Sequence, residues 1–466
     1  VKIIFFILFT FGGFTLPVIC KSQQLLDDSI ASKLKMGVEG FMHRYNSPSI
    51  VVAIVHNREV IFSDAKGYID LENKIPADIN SVYSIQSITK VFTATMFMQL
   101  VQKGIVAIDD AVIKYVPEFK DNLNATDKNE ITLLQLATHT SGLARNSPAD
   151  IKFAKQIDNW LTNNTSESTI TPATKKEFLQ SLKFIPKQYP EYHLLSYGDR
   201  HYSNLGYSLL GIALERAAKT DYAGYIIKNI CQPLKMDNSS FSVEKNNTTA
   251  KGYFYKDSLK QFIKTPTFIA NSAMPAGGMY ASAIDLAKFI SFQLDNNSEN
   301  TNTILSERNR AMMQVFNIAW KPAYPLVFHE GAMLGYRCVI VLNPELKVGW
   351  VILTNTTDFD FSRMNTYINQ LITPVFAKKA ITDLDKYTGT YKLSGGYDSL
   401  KIYLNGESLY STYLQNILPD TPLISLGENR FKGQTKNSHN IVYEFISDNG
   451  LEVKALNLGQ LMWMKQ

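Results

Sequence analysis

The strongest constraint on the fold is a pair of strand hairpins set far apart in the chain. Ser49-Ile50-Val51-Val52-Ala53-Ile54-Val55 and Val60-Ile61-Phe62 read as two strands joined by a turn at 56–59, and residues 336–342 and 348–354 repeat the arrangement around Asn343-Pro344-Glu345. A sheet closed from hairpins at both ends, with helical sequence inserted between them, predicts an α/β (α+β) layered domain with an antiparallel sheet flanked by helices. Helical spacing of Leu25, Leu26, Ile30, Leu34 and Val38 places a helix over 25–46. A second should start near Ser87 and stop at Gly104, and a third should cover 285–294. Helical and loop-rich sequence fills 105–235, with an exposed loop at Asn163-Asn164-Thr165-Ser166.

From about residue 378 the character changes. Tyr387-Thr388-Gly389-Thr390-Tyr391, Leu400-Lys401-Ile402-Tyr403 and Leu409-Tyr410-Ser411 are short strands with turn residues between them. That pattern predicts a separate small all-β module, a sandwich or barrel. The expected organisation is therefore a leader over 1–22, a large α/β domain over 23–377 and a C-terminal all-β domain over 378–466. In the leader, Lys2 precedes the apolar run Ile3-Ile4-Phe5-Phe6-Ile7-Leu8-Phe9, the layout of a secretory signal peptide. Lipid attachment at Cys20 and an uncleaved N-terminal anchor are the alternatives. An exported location, periplasmic or extracellular, follows. No other apolar run approaches the roughly 18 residues of a membrane span, so no transmembrane domain is expected beyond the leader.

Basic residues are scattered among acids despite a net charge of +5, so no nucleic-acid-binding stripe forms and no nucleic-acid partner is expected. Of the three cysteines, Cys231 and Cys338 lie in apolar stretches and read as buried structural thiols.

The chemistry rests on three short motifs in order. Ser87-Ile88-Thr89-Lys90 sets a hydroxyl and an amine on one helix face. A serine is a poor nucleophile until a base takes its proton, and lysine serves only when burial and nearby charge lower its pKa. Tyr202-Ser203-Asn204 supplies a proton-shuttling phenol and an orienting amide. His329-Glu330-Gly331-Ala332 precedes the late hairpin, where Gly331 admits close approach and the Ala332 N–H joins that of Ser87 as an oxyanion hole. Each motif alone is weak. Ser32 to Lys35, Ser242 to Lys245, Tyr367-Ile368-Asn369, Tyr403-Leu404-Asn405 and Lys347-Val348-Gly349 match in part but fail on order or context.

The ordered set resembles the serine β-lactamase and penicillin-binding protein superfamily in its class C branch, which also holds D-alanyl-D-alanine carboxypeptidases, D-aminopeptidases and esterases. Gly104 to Pro117, Leu136-Ala137-Thr138-His139-Thr140-Ser141-Gly142-Leu143, Pro233-Leu234-Lys235-Met236 and Pro275 to Ser282 agree as well. The resemblance, from about 40 to 375, implies a β-lactamase/transpeptidase-like fold with an all-helical cluster. It implies an acyl-enzyme on Ser87, proton transfer by Lys90 and Tyr202, and orientation by Asn204. His329 is expected near the leaving group or a substrate carboxylate. The all-β tail is similar to the lipocalin-like barrels of some relatives, which contact the active site; a scaffold or attachment module is the other reading.

His329 stands where class C β-lactamases usually carry lysine, so a substrate carboxylate should be held less firmly there. Peptidase or D-amino-acid amidase and esterase activities therefore rank above β-lactam hydrolysis. His139 is expected to hold a loop by hydrogen bonds. There is no Gly-x-Ser-x-Gly elbow and no His-Glu-x-x-His motif, and neither cofactor nor metal is expected. The substrate is a small molecule or peptide. A penicillin sensor that acylates once without turnover is the reading from another class.

Overall fold

The computed structural model describes residues 26–122, 131–163, 170–185, 202–242, 248–295, 303–323 and 325–376, and most of 384–466. The leader expected over 1–22, with Cys20, most of the loop expected at 163–166 and the expected boundary at 377–378 lie outside the described residues.

The helices are α1 (Asp28–Arg44), α2 (Thr89–Gln102), α3 (Leu133–Ala137), α4 (Pro148–Asn163), α5 (Lys175–Ser181), α6 (Asn204–Ala218), α7 (Tyr222–Ile226), α8 (Met274–Gly277), α9 (Ala283–Leu294), α10 (Glu307–Val315) and α11 (Phe361–Phe376). No helix among the described residues is long and apolar enough to cross a membrane. The early hairpin is β1 (Ser49–His56) and β2 (Glu59–Asp70), followed by the short β3 (Ile75–Pro76). Its turn carries positive φ at both Asn57 and Arg58, the backbone that matches the twist of paired strands. Strands β4 (Val82–Ser84) and β7 (Tyr280–Ser282) pair with each other, as do β5 (Tyr253–Lys256) and β6 (Gln261–Lys264). Late in the chain come β8 (Lys321–Ala323), β9 (Leu326–Met333), β10 (Tyr336–Asn343) and β11 (Val348–Thr354).

The two distant hairpins join through β1 and β11, with Val52 opposite Ile352, in a seven-stranded antiparallel sheet of order β3-β2-β1-β11-β10-β9-β8. Strand periodicity splits its residues between two cores. Ile50, Val52, Ile54, Val339, Val341 and Trp350 face α1 and α11, whereas Val51, Ala53, Val55, Ile340 and Val351 face the helical body. Both faces are covered, which is why the strands read as unbroken apolar runs. Helix α2 is buried from Thr89 through Leu100 and forms the spine of that body. Cys231 and Cys338 are free and buried, and burial pushes both thiols up to about 12.

The C-terminal strands β12 (Gly389–Leu393), β13 (Ser399–Asn405), β14 (Ser408–Tyr413), β15 (Thr421–Gly427), β16 (Arg430–Gly433), β17 (Val442–Ile446), β18 (Ala455–Leu458) and β19 (Leu461–Lys465) curl into an all-β barrel that closes through β12 and β19. Tyr387, Tyr391, Leu400, Ile402, Phe431 and Phe445 fill its interior. Tyr387 belongs to a 3₁₀ turn rather than to a strand. Arg430 of β16 lines a hollow with Pro344 and Glu345 of the β10–β11 turn.

Candidate active site

Ser87 lies in a 3₁₀ turn, Gln86–Ile88, that leads directly into α2. The turn is held from several sides. The Ile85 N–H donates to the Met279 carbonyl at 3.0 Å, and Thr89 Oγ1 donates to the Gln86 carbonyl at 2.6 Å while accepting from the Met279 N–H at 3.1 Å. The Cys338 thiol donates to the Ser84 carbonyl at 3.4 Å. Gln86 itself adopts φ +48°, a left-handed backbone that side chains adopt at a cost. Strain next to a supported hydroxyl is a feature of functional turns.

Lys90 is fully buried one helical turn on, with its Nζ 3.0 Å from Ser87 Oγ, 2.9 Å from Asn204 Oδ1 and 2.5 Å from the Ala276 carbonyl. An ammonium would spend all three protons on these oxygens. A neutral amine would donate only to the Asn204 and Ala276 carbonyls, leaving its lone pair aimed at the Ser87 hydroxyl. Burial, reinforced by the positive charges of Arg145 and Lys321, holds the Lys90 amine well below the ordinary lysine value near 10.5. The geometry and the electrostatics therefore favour the same species, a base facing Ser87.

Tyr202 and Asn204 are placed by a helix cap. Ser203 caps α6, its hydroxyl accepting from the Gly206 N–H at 2.8 Å and donating to the Ala144 carbonyl at 2.7 Å. This puts Asn204 at the first helical position, where its Nδ2 donates to Asn146 Oδ1 at 2.9 Å and its Oδ1 receives Lys90. Nδ1 of His139 accepts the Ser203 N–H at 3.1 Å, and its ring lies 4.4 Å from that of Tyr202. That contact is the loop-holding role expected of His139. Tyr202 is 7% exposed, its ring centroid 4.9 Å from Lys90 Nζ.

His329 and Gly331 point inward from β9, two residues apart on one face. A Cβ on Gly331 would stand 2.2 Å from the Ile85 carbonyl oxygen, so only glycine lets the strand lie against the Ser87 turn. Ala332 is exposed on the cleft wall with Ser87. His329 is fully buried, and its Nε2 has no hydrogen-bond partner among the described residues. Burial, with Lys90 and Lys321 nearby, holds its imidazole well below the ordinary value, hence neutral. It sits 6.4 Å from the Tyr202 ring and does not line the cleft surface where substrate groups would rest.

The cleft, about 300 Å³, opens over Ser87. Its lining includes Asn146 and Asn204, the apolar Phe153, Ala154 and Ile157 of α4, and Phe268, Met333 and Leu334. All of its lining residues fall between Ser84 and Tyr336, so the barrel contributes none among the described residues. The partial matches to the motifs lie elsewhere. Ser32 and Lys35 are exposed on α1, Tyr367 is on α11, Tyr403 is on β13, and Lys347 is at the opposite end of the β10–β11 hairpin from the cleft.

Sequence reading missed four contributors. The Ala276 carbonyl sits inside the stretch Pro275 to Ser282 already singled out, and Asn146, like Arg145, follows the stretch ending at Leu143, so adjacency was a signal for them. Arg145 and Lys321, which stand over the Tyr202 ring, carried no motif.

A family model described as Beta-lactamase matches residues 37–372. Protein flp of Staphylococcus aureus (strain MRSA252) is 28% identical over 363 residues, which are 75% of this chain and 66% of that protein. The chain thus covers just under two thirds of that relative's length. Among solved structures, the octameric penicillin-binding protein homologue from Pyrococcus abyssi matches with a TM-score of 0.60 at 23% identity, covering 93% of this chain and 99% of that one. A class C beta lactamase from Rhodobacter sphaeroides matches with a TM-score of 0.57 at 19% identity, covering 74% and 100%. At these identities the structural likeness speaks to the fold.

Proposed function

The chain belongs to the beta-lactamase family, and from that premise we propose that it is an exported serine hydrolase that cleaves amide or ester bonds through an acyl-enzyme on Ser87. The observation that carries the reading is the Lys90 Nζ, 3.0 Å from Ser87 Oγ and buried among two carbonyl acceptors. In this mechanism Lys90 takes the Ser87 proton as Oγ attacks the substrate carbonyl. The backbone N–H groups of Ser87 and Ala332 stabilise the developing oxyanion. Tyr202, against the Lys90 ammonium, delivers the proton to the departing amine or alkoxide. Water then attacks the Ser87 ester with the same groups acting in reverse, and the acid product leaves. Asn204 and Asn146 orient the acyl side, which continues toward the apolar face of α4.

The substrates that fit best are those of a D-alanyl-D-alanine carboxypeptidase, a D-aminopeptidase-like enzyme or an esterase. His329 stands where class C β-lactamases usually carry lysine, and on that departure these activities rank ahead of β-lactam hydrolysis; the neutral, buried imidazole offers no charge to a substrate carboxylate of either kind. The leader over 1–22 supports export. Turnover of a D-Ala-D-Ala peptide, a D-amino-acid amide, a short-chain nitrophenyl ester and a cephalosporin, measured side by side, tests the reading. Multiple turnovers on at least one of the first three are expected, with the cephalosporin slowest. A single burst of acylation without turnover would instead identify a penicillin sensor.

A further inference from the structure

Lys90 depends for its aim on a carbonyl that belongs to a very short element. Ala276, whose oxygen accepts from Lys90 Nζ at 2.5 Å, lies in α8, a helix of four residues. A single turn has no stability of its own, so its place is set by whatever grips it. Residues three apart on a helix share a face, and Lys90 and Thr93 stand so on α2. They take consecutive carbonyls of α8: Lys90 takes that of Ala276, and Thr93 Oγ1 donates to that of Pro275 at 2.7 Å.

A hydroxyl has one proton, and the Thr89 carbonyl at 3.3 Å is the poorer acceptor for that of Thr93. The Tyr222 hydroxyl, 2.8 Å from Thr93 Oγ1, is then the donor to it. A chain therefore runs from Tyr222 to Thr93 to the Pro275 carbonyl, each donor polarising the next. All three residues are buried. Tyr222 is itself held, its N–H donating to Glu215 Oε2 at 3.2 Å and its ring meeting that of Phe241 edge-on at 5.4 Å. Helix α6 rests on the same proline, because a Cβ on Gly211 would overlap the Pro275 ring. That helix also begins with Asn204, the other carbonyl acceptor of Lys90.

We propose that Thr93 and Tyr222 are positioning residues for acyl transfer, holding the α8 carbonyls so that Lys90 presents its lone pair to Ser87. This rests on the reading of Lys90 as the base for Ser87. With the chain intact, the neutral amine donates to Asn204 and Ala276, and only its lone pair remains for the hydroxyl. With the chain cut, α8 is free to shift, and the amine loses one of its two anchors. A misplaced base costs rate. The Ala276 carbonyl is also a charge-assisted acceptor of the ammonium, so its retreat disfavours the charged form of Lys90. A defect of packing alone would lower the rate equally at every pH. Among the described residues, the charged and titratable groups facing Lys90 are Tyr202, Tyr207, Arg145, Lys321, His139 and His329. Substitution of Thr93 or Tyr222 removes none of them, so a moved midpoint reports the carbonyl.

The test is kcat/KM against pH on a short-chain nitrophenyl ester, whose leaving group needs no proton and so isolates the base. Thr93→Val keeps the shape and removes the hydroxyl. It should lower the plateau about tenfold and move the midpoint down by about half a unit. Tyr222→Phe should do the same to a smaller extent, and Thr93→Ser, which keeps the hydroxyl, should stay near the unmodified protein on both measures. Since Tyr222 acts through Thr93, adding Tyr222→Phe to Thr93→Val should move the midpoint no further. The inference is overturned if the midpoint stays put in either single variant, if the two shifts add, or if Thr93→Ser shifts as far as Thr93→Val. A midpoint does not depend on the amount of active protein, and Tyr222→Phe alone decides the matter if Thr93→Val does not fold. Normal turnover with unmoved midpoints contradicts the positioning chain alone. An unmodified protein that neither turns over the ester nor takes its acyl group on Ser87 contradicts the hydrolase reading beneath it.

Discussion

The cleft and the C-terminal barrel treat buried polar groups in opposite ways. In the barrel, buried phenols are satisfied at short range. Tyr387 donates to Asn429 Oδ1 at 2.6 Å, Tyr391 to the Tyr387 carbonyl at 2.8 Å, and Tyr443 shares a 2.8 Å bond with Ser411. Aromatic rings pack edge to face around them, Tyr387 on Phe431 at 4.9 Å and Phe431 on Phe445 at 5.5 Å. Around Ser87 the opposite holds. A lysine is buried with two more cations close by, the His329 Nε2 has no hydrogen-bond partner among the described residues, and Gln86 and His139 both adopt positive φ. Burying a lysine beside other cations and holding non-glycine residues at positive φ both cost free energy, and local costs that persist in a stable chain collect where chemistry is done. The barrel is built for stability and the cleft for reactivity.

That contrast breaks or sharpens under mutation. The largest effect belongs to Ser87→Ala, which should abolish turnover of every substrate. Retained steady-state hydrolysis in that variant would remove the nucleophile assignment. Lys90→Ala and Tyr202→Phe should each cost on the order of 10³-fold in kcat/KM, several kcal/mol of transition-state stabilisation. Gly331→Ala forces β9 away from the Ser87 turn, and displacement of this kind costs roughly 10²-fold in rate, checked by kcat on a nitrophenyl ester.

In the barrel, Phe445→Ala should cost about 3–5 kcal/mol of that module's stability by denaturant unfolding. Since no described barrel residue lines the cleft, kcat/KM on small substrates should stay within about twofold. A matching loss of activity would show that the barrel acts on the site after all.

The smaller effects concern pH. Activity requires the neutral Lys90 amine, so kcat/KM should rise through a midpoint well below 10.5. Lys321→Gln removes a charge that depresses that midpoint and should move it upward; an unmoved midpoint would separate Lys321 from Lys90 electrostatically. The buried imidazoles add a stability term. His139 and His329 are held well below 6.5 in the folded chain, so below about 6.5 the unfolded chain binds protons that the folded chain does not. Their stabilisation is present above that pH and is lost as pH falls through it. The melting temperature should drop between about pH 7 and 5, and less steeply in His139→Asn.

Much of this was legible in sequence for identifiable reasons. The apolar runs of β1, β10 and β11, set between turn residues, read as strand hairpins, and the order Ser87-Lys90, Tyr202-Asn204, His329-Gly331 marked one surface. The rest depended on register. Lys321 reaches Tyr202 only because β8 pairs with β9 opposite Phe328. His329 could be read as a group near a carboxylate, but its alternation on β9 turns it inward and burial leaves it neutral. Arg145 precedes α4 in a loop with no periodicity to read. Barrel closure through β12 and β19 joins strands at the two ends of the module, a pairing that no local pattern announces.

The most direct test of the central claim is the intact mass of the protein after exposure to a fluorophosphonate, followed by peptide mapping. One adduct per chain on Ser87, absent from Ser87→Ala and formed far more slowly in Lys90→Ala, is the predicted result. An adduct that persists in Ser87→Ala or maps to another residue would contradict it.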